Sequence, residues 1–189
     1  MCIRDRNTLL TAGNVTSEFS TDSFESLATA TVSDSTLSVA DLNGAISAAN
    51  TATSGTSTVF TLSAGATINT GDQSAFTTLL GYENAGQVAI SDQNITVEGD
   101  LDTATANLLN DTTTGTVTAI IASSEVSILK LLRGTNAYTI TIALEDAAVS
   151  ASDLNSINAL TTEAVDLTNV SSITSSSLED LGTLATAIG

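Results

Sequence analysis

A pattern of apolar residues recurs six times along this chain, and it limits the possible folds more than any other feature. In each copy an apolar residue is followed by others at +5, +8 and +11, as at Val149, Leu154, Ile157 and Leu160. The copies begin at Leu37, Ile68, Ile95, Ile121, Val149 and Ile173, at spacings of 31, 27, 26, 28 and 24 residues. Periods of roughly 20–50 residues are typical of stacked architectures, so the sequence predicts an array of short, similar segments.

The copies differ in how closely they follow this pattern. The remaining apolar positions are Leu42, Ala45 and Ala48 in the first copy, Phe76 and Leu79 in the second, Leu101 and Leu108 in the third, Val126, Leu129 and Leu132 in the fourth, and Leu178, Leu181 and Leu184 in the sixth. Gln73 is a polar exception in the second copy, and one inserted residue interrupts the third. The third copy therefore fits the pattern only loosely.

Each copy predicts a strand, a turn and a short helix. The positions at +5, +8 and +11 are three residues apart, which places them on one side of a helix. Short runs typical of strands precede the helices at 58–62, 87–90, 116–121, 138–142 and 164–167, and in several of them Thr alternates with apolar residues. The predicted fold class is therefore α/β, a repetitive βα solenoid with short parallel strands and short helices. A small closed α/β domain is the alternative.

Polar residues in front of each predicted helix have the side chains that cap helix N-termini. Their oxygens accept hydrogen bonds from backbone N–H groups that have no partner inside the helix. The predicted caps are Ser38, Thr70 or Asp72, Thr96, Ser123 or Ser124, Ser150 or Ser152, and Ser175 or Ser176.

The first six residues, Met1 to Arg6, differ from the rest of the chain. They hold the only Cys, the only Met and two of the four basic residues, and they resemble the translated end of a sequencing adapter. We exclude them from the fold prediction as an artefact. We predict that residues 7–30 form a degenerate or partly disordered lead-in, and that residues 31–189 form about six βα half-repeats. Both ends of this array are expected to be open and to expose apolar stacking surfaces.

The charge of the chain limits its partners. The formal net charge is −17, with four basic and 21 acidic residues. Such a surface repels nucleic acid and anionic lipid, so neither is an expected partner. No stretch approaches the roughly 20 apolar residues that a membrane-spanning helix needs, so membrane insertion is not expected. Divalent cations and glycans are the candidate ligands.

The residue types argue against catalysis. There is no His, and the one Cys lies in the excluded segment. No glycine-rich phosphate loop, serine-elbow motif or zinc spacing occurs. The sequence therefore predicts a protein that is not an enzyme and has no cofactor. A pair of carboxylates could still hydrolyse glycosides, so a fragment of a polysaccharide-active enzyme is kept as an alternative.

Three acidic residues recur at the predicted turn between strand and helix: Asp34, Asp92 and Asp146. One reading is a row of calcium ligands, since Ca²⁺ prefers carboxylate and carbonyl oxygens. The other reading is turn chemistry, in which each Asp accepts hydrogen bonds from nearby backbone N–H groups. Lys130 and Arg133, predicted to share one short helix, either bind a carboxylate glycan or pair with neighbouring acids.

Two stretches resemble a known kind of repeat. Residues 146–155 (DAAVSASDLN) and 114–119 (TGTVTA) are similar to repeats of very long, acidic proteins of marine bacteria, notably cyanobacteria. The resemblance implies an extracellular or cell-surface location, with neighbouring repeats of the same longer chain as partners. The implied function is that of a structural repeat segment: a scaffold, stalk or surface coat. A calcium-dependent adhesin module is the second possibility.

Overall fold

The computed structural model describes residues 9–10, 29–52, 58–146, 148–175 and 177–188. The excluded segment 1–6 and most of the lead-in 7–30 lie outside these residues. The expectations for those two stretches therefore stay predictions.

Strands and helices alternate along the described residues. The strands are β1 (Leu9–Leu10), β2 (Thr29–Val32), β3 (Thr36–Ser38), β4 (Val59–Leu62), β5 (Thr67–Asn69), β6 (Asn94–Leu101), β7 (Val117–Ser124), β8 (Ala137–Ile142), β9 (Ala148–Ser150) and β10 (Ser172–Thr174). The helices are α1 (Val39–Ala52), α2 (Gln73–Asn84), α3 (Thr103–Thr112), α4 (Val126–Leu129), α5 (Ala151–Asn158) and α6 (Leu178–Ile188), and a 3-10 turn spans Leu144–Asp146.

Three of the six repeating segments hold two strands before the helix, where the sequence predicted one, whereas a single strand, β7, precedes α4. Segments 1 and 2 show this most simply, as β2–β3–α1 and β4–β5–α2. By this pattern the segments are 1 (29–52), 2 (59–84), 3 (88–112), 4 (117–132), 5 (137–158) and 6 (161–188). The predicted strands at 87–90 and 164–167 are reduced to single bridging residues, Val88 and Asp166. Leu37 and Ile68, which begin copies of the sequence pattern, lie in the second strand of their segments.

The chain forms two compact units, and both are built from parallel strands. The first contains residues up to Glu98 together with Thr112–Gly115, and the second contains Gly99–Asp111 and Thr116–Gly189. In the first unit β1, β2 and β4 pair in that order, and β5 pairs with both β3 and β6. In the second unit β7 pairs with β8, and β9 pairs with β10. The predicted class, α/β with parallel strands and short helices, is confirmed.

The strand register matches the sequence repeat in five of the six copies; Ile121, which begins the fourth copy, pairs instead with Ile140 of β8. Leu37 pairs with Ile68, and Ile68 pairs with Ile95, so the first three copies of the pattern lie on neighbouring strands. In the second unit Val149 pairs with Ile173 in the same way. Because side chains alternate between the two faces of a strand, equal register places these apolar residues on the same face.

The core consists of these strand residues and one face of each helix. Leu42, Phe76, Leu129 and Leu154 are almost fully buried, as the +5, +8, +11 pattern predicts. The prediction for Leu108 was wrong, since its side chain is 55% exposed. In segment 3 the second strand continues to Leu101 and delays the helix to Thr103, so Ala106 and Leu109 face the core instead. In segment 1 Ala48 is only half-buried, and the neighbouring Ala49 is buried.

Some of the predicted helix caps are present. The Oγ atoms of Ser38 and Ser150 and the Oδ1 atom of Asp72 accept hydrogen bonds from backbone N–H groups three residues later, at 3.4, 3.0 and 3.0 Å. Thr96 is not a cap because it lies inside β6, and Asp102 caps α3 with a bond of 2.7 Å from the N–H of Thr105.

The last two helices also differ from the predicted caps. At α6 the cap is Ser177, whose Oγ accepts the N–H of Asp180 at 3.0 Å, and not Ser175. Ser176 lies outside the described residues. At α4 the cap position is occupied by Glu125, which makes no side-chain capping bond, and not by either predicted serine.

Candidate functional site

The three predicted calcium ligands occupy equivalent places, although not in the predicted turn. Asp34, Asp92 and Asp146 each stand two residues before the second strand of their segment. The turn that they occupy therefore joins two strands rather than a strand and a helix. The sequence could not separate these cases, because a second strand of three residues resembles the end of a turn.

Two of these carboxylates hold the backbone of the preceding segment. Asp92 Oδ2 accepts the N–H of Gly65 at 3.2 Å, and Gly65 is itself the residue two places before β5. Asp146 Oδ2 accepts the N–H of Val126, the first residue of α4, at 2.5 Å. Both bonds are the turn chemistry that the sequence analysis set beside calcium binding. Among the described residues, Asp34 Oδ2 is enclosed and has no hydrogen-bond partner.

The spacing of the strands separates Asp34 from Asp92. Their second strands, β3 and β6, pair with opposite edges of β5, so the two residues are two strand spacings apart. That distance is about 10 Å at the usual spacing of parallel strands. The equivalent position in segment 2, between them, is Gly65, which has no carboxylate to continue the row. The residues that the structure describes contain no group of three or more Asp, Glu, His or Cys side chains placed to hold a metal ion.

The two basic residues of the repeat array are paired with acids. Helix α4 ends at Leu129, so Lys130 caps it and Arg133 follows it; the prediction that both lie on one helix was wrong. Lys130 Nζ lies 2.5 Å from Asp153 Oδ1, and Arg133 Nη1 lies 2.8 Å from Asp111 Oδ2. All four side chains are at least one third exposed, so each pair contributes about 1 kcal/mol or less.

Asp153 is held more firmly than an isolated surface carboxylate. Hydrogen bonds from Lys130 and then from Ser150 lower the pKa of Asp153 below its ordinary value. Ser150 Oγ donates to Asp153 Oδ2 at 2.8 Å and accepts the N–H of Asp153 at 3.0 Å. This reciprocal arrangement fixes the first turn of α5 and joins it to the end of α4.

Three asparagines that the sequence analysis did not single out join successive helices. Asn43, Asn107 and Asn155 each occupy the fifth position of a helix, in α1, α3 and α5. Their Nδ2 groups donate to the backbone oxygens of Ala75, Leu131 and Asp180 in the next segment, at 2.8, 2.8 and 2.9 Å. The signal that could have found them is their equal distance from the start of the helix.

A buried polar network lies inside the second unit. The side chain of Asn136 accepts the N–H of Val117 at 2.9 Å and donates to Asn110 Oδ1 at 2.9 Å and to the hydroxyl of Tyr138 at 3.2 Å. That hydroxyl donates to the backbone oxygen of Ala106 at 3.5 Å. Burial raises the pKa of Tyr138 to about 12. The network joins α3, β7 and β8, and these polar groups find their partners inside the protein.

Three of the charged side chains described above line one pocket. A pocket of about 290 Å³ in the second unit is lined by Ser127, Lys130, Asp146, Ser150 and Asp153, among others. Its ammonium and one carboxylate pair with each other, and its other carboxylate accepts a backbone N–H. The arrangement can join α4 to the start of α5, and each of its three charged groups already has a partner within the protein.

Comparison with known proteins found no matching family model, no matching curated protein and no matching solved structure. Within the described residues, no helix combines the length and the apolar character needed to cross a bilayer.

Proposed function

We propose that this chain is a structural scaffold in which β–β–α segments stack on one another as a solenoid, and that it forms part of a large secreted or cell-surface bacterial protein. The observation that carries the proposal is the strand register. Successive copies of one sequence pattern pair in register at Leu37, Ile68 and Ile95, and again at Val149 and Ile173. A fold whose neighbouring strands follow the sequence period is extended by adding further segments.

Bonds between neighbouring segments support this role. The asparagine bonds join α1 to α2 and α5 to α6, and the Lys130–Asp153 pair joins α4 to α5. Nearest-neighbour contacts of this kind are what stabilises a stacked array, because each short helix is too short to be stable alone.

The placement of charge supports a role as a surface coat. Among the described strands, only the second half of β6 carries charged residues, Glu98 and Asp100. Apart from Asp166, which bridges to Thr141, the other acids of the described residues lie in turns, loops and helices. Such a distribution leaves most strands uncharged and places most of the negative charge around them, which keeps long acidic proteins soluble and apart.

We also propose that the chain has no catalytic activity. The carboxylates with known contacts cap helices, hold turns or pair with the two basic residues. A structural use of each group is sufficient to explain its position.

Truncation tests the solenoid against a small closed α/β domain. A chain that ends at Leu160 lacks segment 6. In a stacked array the preceding segments keep their fold, so amide hydrogens of β7 stay protected from exchange, although the melting temperature falls. Amides of β8 that bond to segment 6, such as that of Ile142, lose protection in either case. A closed domain that needs segment 6 to complete its core would lose protection in β7, and that result would overturn the proposal.

A calcium-dependent adhesive module is the second candidate, and the enclosed Oδ2 of Asp34 favours it. The test is a thermal melt followed by circular dichroism, in chelator and in millimolar calcium. A ligand that binds only the folded state adds about 2.7 kcal/mol at a hundredfold excess over its dissociation constant. A rise in melting temperature that sodium at equal ionic strength does not reproduce, and that Asp34→Asn removes, would favour calcium binding. An equal melt in both solutions would leave the passive scaffold.

A further inference from the structure

The two basic residues that follow position 6 lie close together on the surface. Lys130 and Arg133 are the only Lys or Arg residues in 7–189, and their side chains are 43% and 58% exposed. The basic loop is defined here as residues 130–134, which begin where α4 ends. A protease whose specificity pocket binds a Lys or Arg side chain can therefore cut after position 6 at two bonds only, Lys130–Leu131 and Arg133–Gly134.

The backbone of the basic loop is folded back on the helix before it. The N–H groups of residues 130, 131 and 132 donate to backbone oxygens of α4, at 3.0, 2.9 and 3.1 Å. Leu132 is 3% exposed, so its side chain anchors the loop in the core. Proteases bind several residues of their substrate as an extended segment, so the loop must open before either bond is cut.

The side chain of Asn107, in α3, holds the centre of the loop. Its Nδ2 donates to the backbone oxygen of Leu131 and its Oδ1 accepts the N–H of Arg133, both at 2.8 Å. Helix α4 has only four residues, so the N–H of Arg133 lies beyond its end and takes its acceptor from α3. Asn107 is largely buried, so water competes little for these bonds. Because both bonded groups lie between the two cleavable bonds, one side chain restrains the backbone at both sites.

The charged ends of the two basic side chains are also engaged. Lys130 pairs with Asp153 of α5, and Arg133 pairs with Asp111 of α3. The specificity pocket of a trypsin-like protease supplies a carboxylate of its own, which has to replace these partners. Both ion pairs are partly exposed to solvent and contribute little, so the bonds of Asn107 are the stronger restraint on the loop.

We propose that the basic loop is a cleavage site for a trypsin-like serine protease, and that Asn107 keeps this site closed in the folded chain. Cleavage adds one water molecule across a peptide bond; at Arg133–Gly134 it leaves a carboxylate on Arg133 and an amine on Gly134. When the two bonds of Asn107 break, the loop can leave α3 and extend. The loop follows β7 and precedes β8, and these strands pair directly with each other, so the loop can open without separating them.

Trypsin digestion of the full chain tests the proposal, with mass spectrometry of the fragments that end at Lys130 or Arg133. When opening is fast relative to cleavage, the rate of cleavage follows the population of the open form. Asn107→Ala removes two buried hydrogen bonds and should raise the rate at least about tenfold. The matched control is Asn155→Ala, which removes a bond between helices of the same unit, to the backbone of Asp180, and should leave the rate unchanged.

Urea separates opening of the loop from unfolding of the whole chain. The effect of urea on an opening step scales with the surface that the step exposes. Cleavage through the loop alone should therefore change little up to about 1 M urea, whereas cleavage through global unfolding should rise steeply. A peptide of residues 126–137, which contains both cleavable bonds, measures the rate for an open site and corrects for the effect of urea on trypsin.

Three results would each overturn the proposal. They are cleavage of the folded chain as fast as the peptide, equal rates for Asn107→Ala and Asn155→Ala, and cleavage that rises with urea as steeply as the unfolded fraction. The comparison with the peptide and the urea dependence use the unmodified chain, so they decide the matter even if Asn107→Ala does not fold. The proposal does not rest on the scaffold role, which is tested separately by the chain that ends at Leu160.

Discussion

Replacing Asn107 with Ala should destabilise the protein more than the same change at Asn43 or Asn155. Asn107 is 9% exposed and makes two bonds to the next segment. Its Nδ2 donates to the backbone oxygen of Leu131 at 2.8 Å, and its Oδ1 accepts the N–H of Arg133 at 2.8 Å. Alanine would leave both backbone groups without these partners at a largely buried position.

The expected magnitude follows from the number of bonds lost. A hydrogen bond contributes about 1 kcal/mol, and a buried group left without a partner costs about 1–3 kcal/mol. We therefore expect the free energy of unfolding to fall by about 2–3 kcal/mol for Asn107→Ala. Asn43 and Asn155 each donate one bond, and their Oδ1 atoms are enclosed without partners. Alanine removes those unsatisfied oxygens too, so about 1 kcal/mol or less is expected at either position.

Urea unfolding followed by circular dichroism measures the differences directly. In a chain of this length 1 kcal/mol corresponds to a shift of about 2–4 °C in the melting temperature, so thermal melts give a second reading. Asn107→Asp keeps the shape and the acceptor but replaces the donor with a carboxylate that faces a backbone oxygen, and it should destabilise at least as much as Ala at neutral pH. Equal losses for the three Ala variants would refute the reasoning, because the count of bonds would then not determine the cost.

Three further changes test other parts of the structure. With Tyr82→Phe in place, Tyr138 is the only tyrosine, and its ultraviolet titration should have a midpoint near pH 12 in the folded chain and near pH 10 in urea. Because the pKa of Tyr138 is raised in the folded state, its contribution to stability is complete below pH 10 and falls by about 1.4 kcal/mol per pH unit above pH 10. A midpoint near pH 10 in both states would contradict the burial of Tyr138. Gly115→Ala should lower the free energy of unfolding by about 1–3 kcal/mol, because the new Cβ would lie 2.2 Å from the backbone oxygen of Gln93. Gly81→Ala, which has open space around its place in α2, should raise it by up to about 1 kcal/mol. Urea unfolding measures both changes. The pKa of Asp153 is lowered in the folded state, so the stability that this carboxylate contributes is complete above about pH 3.8 and is lost as the pH falls below that value. Asp153→Asn should remove this part of the loss of stability in acid. An unchanged dependence of stability on pH in this variant would contradict the prediction.

The apolar pattern predicted the strand neighbours well. Five of its six copies begin at residues that the structure pairs with one another in register, and the helix residues Leu42 and Leu154 are buried as expected. The exception is Ile121, which pairs with Ile140. This part could be predicted from the sequence because the spacing of apolar residues indicates directly which side chains are buried. Leu178 and Leu181 of segment 6 are exposed, and the expectation that the array is open at both ends stays a prediction.

The division of segments 1, 2 and 5 into two strands and a helix could not be predicted from the sequence. Strands such as β3 and β9 have three residues, and their Ser and Thr residues suit a turn or a helix cap equally well. The same ambiguity placed Asp92 in the wrong turn and made Thr96 a helix cap. In segment 3 the second strand runs to Leu101, which moved the helix and exposed Leu108.

The residues that join the segments could not be predicted from the sequence, for a reason different from that for the short strands. An asparagine inside a helix has no local signal of its role, because its partner is a backbone atom 24 to 32 positions away. Asp92 and Asp146 were visible as a recurring pair, yet the sequence alone could not decide between a backbone partner and an ion. Their backbone bonds became visible only through the register of the strands.

Nuclear Overhauser effects between methyl groups test most directly that successive segments stack in the sequence period. With Ile, Leu and Val methyl groups labelled, cross-peaks are predicted between Leu37 and Ile68, between Ile68 and Ile95, and between Val149 and Ile173. Paired residues on neighbouring parallel strands lie about 5 Å apart, which is within reach of this measurement. Observation of all three would establish the stacked register. Their absence, or cross-peaks shifted to other residues of the same strands, would contradict the scaffold account.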